Sequence, residues 1–296
     1  MKGFKNHKIR LSKIELNVFT KGTGEPMLLL HGFPQNHLAW EAAGQILSNS
    51  FTVIIPDLRG YGDSSPAPFD ENHINYSKRE MGKDFIELMN YFDFDEFYIA
   101  GHDRGGRVAY RMALDYSNRI KKLILLDIIP TGEKINIINS QQAYASYHWF
   151  FLSQPFDLPE KLIGSNSDYY ITHLIERWIG KGNKLNSYNL KEYKRHFRKE
   201  SVLRSMCEDY RAGIFVDAPN DLEDLKKGNK IKCPTLIIWG QQETEGRKIE
   251  WIDYWKKWAI SIQGVPISCG HFIMEEEPHL TSEAIIKFIK EDNINE

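Results

Sequence analysis

Residues 101–105 read Gly-His-Asp-Arg-Gly, and a further arginine stands at 107. The spacing glycine, x, acid, x, glycine lets a strand turn sharply into a helix. The glycines allow the two backbones to approach while the central residue takes a strained conformation and projects outward. An aspartate there could simply cap the helix. It could also attack carbon. A serine attacking a saturated carbon would leave an ether, which an activated water cannot cleave. An aspartate leaves an ester, which water can cleave. Nearby positive charge would keep the carboxylate of Asp103 ionised. Arg104 and Arg107 are three residues apart and can share the top of the first helical turn. An arginine fork also suits a second carboxylate, that of a substrate. The residue types therefore point to substitution at the carbon beside a substrate carboxylate, followed by ester hydrolysis. Arg111, one turn further on, is expected to be structural.

Hydrolysis needs a base, an acid that orients it, and donors for an oxyanion. His271 lies in "CGHFIMEEEP", late in the chain and just after a strand-like run. The order nucleophile, acid, histidine is the one expected for a strand–turn–helix nucleophile. His279 is the fallback, although "EPHLTSEA" reads as the start of a helix. Two acids compete to orient His271: Asp127, ending "LILLD", and Glu243, following "LIIWG". Asp127 is favoured because it sits directly at a strand edge. "HGFPQ" at 31–35 follows another strand-like run. Its Phe33 N–H, with the Arg104 N–H, would form the oxyanion hole.

These residues need a scaffold, and the surrounding pattern supplies one. "HKIRLSKIELNVFTKG" reads as a hairpin of two strands. "MLLLHG", "FTVIIPD", "EFYIAG" and "IKKLILLD" read as buried strands. They alternate with helical patterns at "HLAWEAAGQILSN", "SKREMGKDFIELMNYF" and "RGGRVAYRMALDY". This is the signature of a mostly parallel sheet flanked by helices, an α/β fold. The alternation stops after Asp127. Residues of about 130–215 show aromatic-rich helical periods and no convincing strand. The sheet pattern returns at "CPTLIIWG" and "PISCGHF", with helices at "EWIDYWKKWA" and "LTSEAIIKFIK". The expected organisation is a core of residues 1–129 and 216–296, interrupted by a helical insertion over 130–215.

The net charge of −2 argues against a nucleic-acid or membrane-surface partner, and no apolar run is long enough to span a bilayer. The first residues alternate polar and apolar and lack the apolar core of a signal peptide. Cys207, Cys233 and Cys269 are odd in number and widely spaced, as expected of reduced thiols in a cytoplasmic protein. No metal or cofactor site is expected.

Taken together these residues resemble the α/β-hydrolase superfamily, over nearly the whole chain. "GHDRGGR" is similar more narrowly to the haloacetate (fluoroacetate) dehalogenases. That resemblance implies hydrolytic dehalogenation of short 2-haloacids through an aspartyl ester, with Asp103, His271 and Asp127 as the triad. It implies that Arg104 and Arg107 hold the substrate carboxylate. It also implies that His148 and Trp149 ("YHWF") and Tyr210 ("CEDYRAG") receive the halide from a helical cap inserted after the sixth strand. A homodimer is implied as well. Epoxide hydrolases share the triad but need two cap tyrosines, for which Tyr210 with Tyr147 or Tyr144 could serve, and they have no evident use for two cations beside the nucleophile. Haloalkane dehalogenases usually carry tryptophan and asparagine where this chain has Arg104 and Phe33. A non-catalytic small-molecule receptor on the same fold would not need the triad.

Overall fold

The computed structural model describes residues 1–242 and 251–291. Its centre is an eight-stranded sheet ordered β1-β2-β4-β3-β5-β6-β7-β8. The hairpin β1 (Lys5–Arg10) and β2 (Glu15–Lys21) forms one edge, and β2 runs antiparallel to β4. From β4 (Thr52–Pro56) the sheet is parallel through β3 (Pro26–Leu30), β5 (Phe97–His102), β6 (Ile120–Leu126), β7 (Thr235–Gly240) and β8 (Ile262–Ile267). Helices α1 (Glu41–Leu47), α2 (Lys78–Tyr91) and α3 (Asp103–Asp115) follow β3, β4 and β5.

Both faces of the central strands are covered, which is why they read as unbroken apolar runs. Leu28 and Leu30 point into a cluster with Phe85, Leu88, Val108 and Met112 of α2 and α3. Met27 and Leu29 point the other way, toward Trp40, Ala43 and Leu47. Ile285 and Phe288 of the last helix, α14 (Pro278–Lys290), complete that second cluster. Burying each such side chain stabilises the fold by roughly 1.5–3 kcal/mol.

Between β6 and β7 the chain is helical: α4 (Thr131–Asn136), α5 (Ser140–Ala145), α6 (Tyr147–Leu152), α7 (Leu158–Ser165), α8 (Ser167–Trp178), α9 (Ser187–Phe197) and α10 (Glu200–Ala212). Helix α10 runs on through a π turn, Gly213–Asp217, into α11 (Ala218–Lys227). Helix α11 lies beyond residue 215, where the sequence pattern shows no helix. The run "HLAWEAAGQILSN" divides into a 3-10 turn, His37–Trp40, and α1. Strand β8 lies earlier than "PISCGHF" suggests, so Cys269 to His271 lie beyond it, and among the described residues α12 covers Trp251–Trp255. The cysteines Cys207, Cys233 and Cys269 are buried and free. No helix among the described residues is long and apolar enough to cross a membrane.

The turn from β5 to α3 depends on its glycines. A Cβ at Gly105 would lie 2.3 Å from the His31 carbonyl oxygen, and one at Gly101 would lie 2.6 Å from the Gly105 carbonyl oxygen. Both neighbours are backbone, so the clash could not be relieved by a rotamer change. Asp103, the first residue of α3, sits at φ 42°. Asp127, just past β6, has φ 55°. Positive φ is uncommon for residues other than glycine, though aspartate tolerates it better than most.

A polar chain ties the inserted helices to this turn. Asn189 and Tyr193 of α9 donate to Glu275, at 2.8 and 3.0 Å, in the short helix α13 (Ile273–Glu276). Gln35, after β3, also donates to Glu275 at 2.5 Å, and its side-chain oxygen meets His102 Nδ1 at 3.1 Å. His102 Nε2 then meets the His271 carbonyl at 2.8 Å. Burial pushes the Glu275 carboxyl up from 4.5 to about 7, against the bonds from Asn189, Gln35 and Tyr193 that lower it. A carboxyl with a higher pKa in the folded than in the unfolded chain binds more protons when folded. Its stabilising contribution is therefore present below the unfolded value and lost as pH rises to about 7. Glu275→Gln removes that titration. Melting curves from pH 4.5 to 8 should show the variant gaining on the parent as pH rises; parallel profiles would contradict the assignment.

Candidate active site

Asp103 follows β5, Asp127 follows β6 and His271 lies beyond β8, and all three line one cavity of about 460 Å³. This is where open α/β sheets bind ligands, outside the carboxyl ends of the strands. Asp103 is 9% exposed, and its Oδ2 accepts from the Phe33 N–H at 3.0 Å. Arg104 is the second residue of α3. Its N–H is one of the first-turn amides without an acceptor inside the helix. Burial alone would raise the pKa of Asp103. The charges of His271, Arg104, His102 and Arg107 more than offset this and hold it below the ordinary aspartate value. The carboxylate is thus an anion at neutral pH, and it meets one of the two amides that the sequence names for an oxyanion.

His271 Nδ1 meets Asp127 Oδ2 at 2.6 Å, while Gly240 N–H donates to Asp127 Oδ1 at 3.0 Å. With Nδ1 engaged by a carboxylate, Nε2 is the nitrogen that can accept a proton. Glu243, the rival acid, lies outside the described residues. His279 is an exposed residue in the first turn of α14.

The two arginines differ in placement, contrary to the expectation that they share one face toward the nucleophile. Arg107 lines the cavity. Its Nη1 donates to the Ile129 carbonyl at 3.1 Å and to Thr131 Oγ1 at 2.8 Å, and its buried Nε has no hydrogen-bond partner among the described residues. Burial, and next the like charge of Arg104, push the Arg107 pKa down. Arg104 does not line the cavity. Its Nε and Nη2 grip the two oxygens of Asp209 in α10, at 3.0 and 2.6 Å, and Nη2 also reaches the Asp209 carbonyl at 2.6 Å. Among the described residues its Nη1 has no hydrogen-bond partner. Helical spacing puts both Cα atoms on one side of α3, but an acid 105 residues downstream decides where the Arg104 guanidinium points.

His148, Trp149 and Tyr210 line the cavity from α6 and α10. The Tyr210 ring centroid is 5.3 Å from Trp149 and 5.8 Å from His148. The Trp149 ring lies under both guanidiniums, 4.8 Å from Arg104 and 4.6 Å from Arg107, within cation–π range. Burial, and next the Asp103 charge, push the Tyr210 phenol far up, so it keeps its proton and can donate. Trp178, which no motif marked, also lines the cavity, its ring 4.6 Å from His148 and 5.7 Å from His271. Lys134 joins the lining from α4. Among the described residues no group of three His, Cys, Asp or Glu could hold a metal ion.

Comparison with known proteins agrees with this architecture. Residues 25–278 match the alpha/beta hydrolase fold family. The chain is 35% identical to a fluoroacetate dehalogenase of Burkholderia sp over 98% of its length and 95% of that protein. It is 30% identical to the soluble epoxide hydrolase of Corynebacterium sp. (strain C12), over 96% of each chain. A crystal structure from Nostoc sp PCC 7120, described among the alpha/beta hydrolases, superposes with a TM-score of 0.94 at 43% identity, covering 98% of this chain and 99% of that one. With the sheet order, the strand-to-helix turn and this match over most of its length, the chain belongs to the α/β-hydrolase family.

Proposed function

We propose that the protein hydrolyses the carbon–halogen bond of short 2-haloacids, fluoroacetate among them. The observation that carries this reading is the Arg107 guanidinium: buried, on the wall that bears Asp103, with an unpartnered Nε and a like charge beside it. A buried cation so poorly compensated calls for an anion. A 2-haloacid would supply it and present its α-carbon to Asp103.

The chemistry follows from the same residues. An Asp103 oxygen attacks the α-carbon, and the halide leaves with the bonding pair. His271 Nε2 then takes a proton from water, and the hydroxide adds to the carbonyl carbon of the Asp103 ester. The oxyanion rests on the Phe33 and Arg104 N–H groups, each such donor being worth about 2.7–4 kcal/mol. Asp127 stabilises the imidazolium. Collapse expels the 2-hydroxyacid, which takes the proton back, and frees Asp103. His148, Trp149 and Tyr210 are the proposed halide donors, held over the site by the helices between β6 and β7 acting as a cap.

Epoxide opening is the competing reading, and one of the two curated relatives named above is an epoxide hydrolase. It requires a second phenol beside Tyr210. Of the two tyrosines the sequence offers for that role, Tyr144 is 74% exposed and Tyr147 is not among the residues lining the cavity, although Tyr254 of α12 does line it. Similarity to the Burkholderia protein supports the haloacid reading.

Ion-selective detection of fluoride, with product analysis, tests the assignment. Fluoroacetate should yield fluoride and glycolate in equal amounts; turnover of a small epoxide with no halide release from any haloacid would overturn it. Arg107→Met should lower kcat/KM on chloroacetate by about 10- to 100-fold, the cost of one or two charge-assisted bonds. Turnover of chloroacetamide, which lacks the charge, should change little. An equal fall for acid and amide would show that Arg107 does not read the carboxylate.

A further inference from the structure

An arginine following an aspartate nucleophile raises a difficulty that the fold resolves. A guanidinium free to turn would form a bidentate ion pair with Asp103 and occupy the lone pairs that must attack carbon. Among the described residues neither Arg104 nor Arg107 forms an ion pair with Asp103. Arg104 is instead held by Asp209 through two bonds to the carboxylate and one to the backbone carbonyl, with both side chains fully buried. Aromatic rings pack on the same guanidinium, Tyr210 at 4.4 Å and Trp149 at 4.8 Å. Gly213 leaves room for it: a Cβ there would lie 3.0 Å from Arg104 Nη2.

Asp209 is itself fixed. Tyr61 donates to its Oδ2 at 2.7 Å, Lys78 donates to its Oδ1, and Lys78 also faces Asp217 at 3.2 Å. Two cations and two anions, Arg104, Lys78, Asp209 and Asp217, thus form one buried and balanced cluster between α2, α3, α10 and the π turn.

We propose that Asp209 is a positioning residue for the nucleophile. By gripping the Nε–Nη2 edge of Arg104, it keeps the guanidinium near enough to stabilise the Asp103 anion through its field but unable to pair with it. This rests on the haloacid reading of the site. It assigns the elbow arginine an electrostatic role whose geometry is set from the inserted helices, not from its own helix.

The cluster provides its own control. Lys78→Gln with Asp209→Asn removes one charge of each sign and takes away the partner of Arg104. Lys78→Gln with Asp217→Asn also removes one charge of each sign but leaves the Arg104–Asp209 pair intact. Both pairs are placed in a His271→Ala background, where the Asp103 ester should accumulate, and ester formation from saturating chloroacetate is followed by mass spectrometry of the Asp103 peptide. The first pair should form ester at least about tenfold more slowly than the His271→Ala parent, as expected for a nucleophile tied up by a charge-assisted bond. The second should stay within about threefold, because it leaves the bonds between Arg104 and Asp209 in place. Equal slowing of both pairs, or slowing of neither, would overturn the role of Asp209. Absence of ester in the parent itself would instead overturn the haloacid reading. If the first pair does not fold, Asp209→Glu decides: it keeps the charge but pushes the guanidinium toward Asp103, and an unchanged rate of ester formation would overturn the proposal.

Discussion

The rest of the site depends on one constraint. A buried carboxylate must stay ionised without being neutralised by contact. Asp103 meets it through distance and direction. It touches a neutral donor, the Phe33 N–H. It sits in the first turn of α3, where the helix dipole favours negative charge. The arginine charges that help hold its pKa down, Arg104 and Arg107, act through the field. A direct arginine pair would lower the pKa further and leave a poor nucleophile. The positive φ at the turn, and glycines at 101 and 105 where a Cβ would run into backbone oxygens, fix the carboxylate where this balance holds.

The division of labour between the sheet and the inserted helices follows. The ends of β5 and β6 place Asp103 and Asp127 side by side and the segment after β8 carries His271, so the proposed nucleophile, base and acid depend on parallel pairing between β5, β6, β7 and β8. The helices between β6 and β7 bring Trp149, Tyr210 and Asp209 from above. Those residues determine how the charges on α3 are presented. The polar chain from α9 through Glu275, Gln35 and His102 to the His271 carbonyl joins the two layers. Displacing the inserted helices would therefore alter both the pocket wall and the support behind His271.

How much of this the sequence shows depends on how local the governing rule is. Glycines at a turn, an acid at the end of an apolar run and a late histidine are short-range signals, and they locate Asp103, Asp127 and His271 on one cavity wall. The parallel sheet is legible for the same reason: buried strands and amphipathic helices alternate in plain view. What escapes is set by contacts distant in the chain. The spacing of Arg104 and Arg107 implies a shared face, yet Asp209 turns one guanidinium away. Trp178 carries no motif and reaches the cavity only because α8 ends there. Helix α11 is polar enough to pass for a connection, since its burial comes from neighbours that a local window does not contain. Glu243, the alternative acid, lies outside the described residues, so the Asp127 assignment rests on the 2.6 Å contact with His271.

The central claim, that Asp103 attacks carbon and forms an ester that water opens at the carbonyl, is tested most directly by isotope. A single turnover of fluoroacetate, with enzyme in excess, is run in H₂¹⁸O, and the Asp103 peptide is then analysed by mass spectrometry. The account expects one ¹⁸O atom in the Asp103 carboxylate and unlabelled oxygen in the glycolate hydroxyl, because water attacks the carbonyl carbon of the enzyme and not the substrate carbon. Label in the glycolate with none in Asp103 would mean that water displaces the halide directly, and would contradict it.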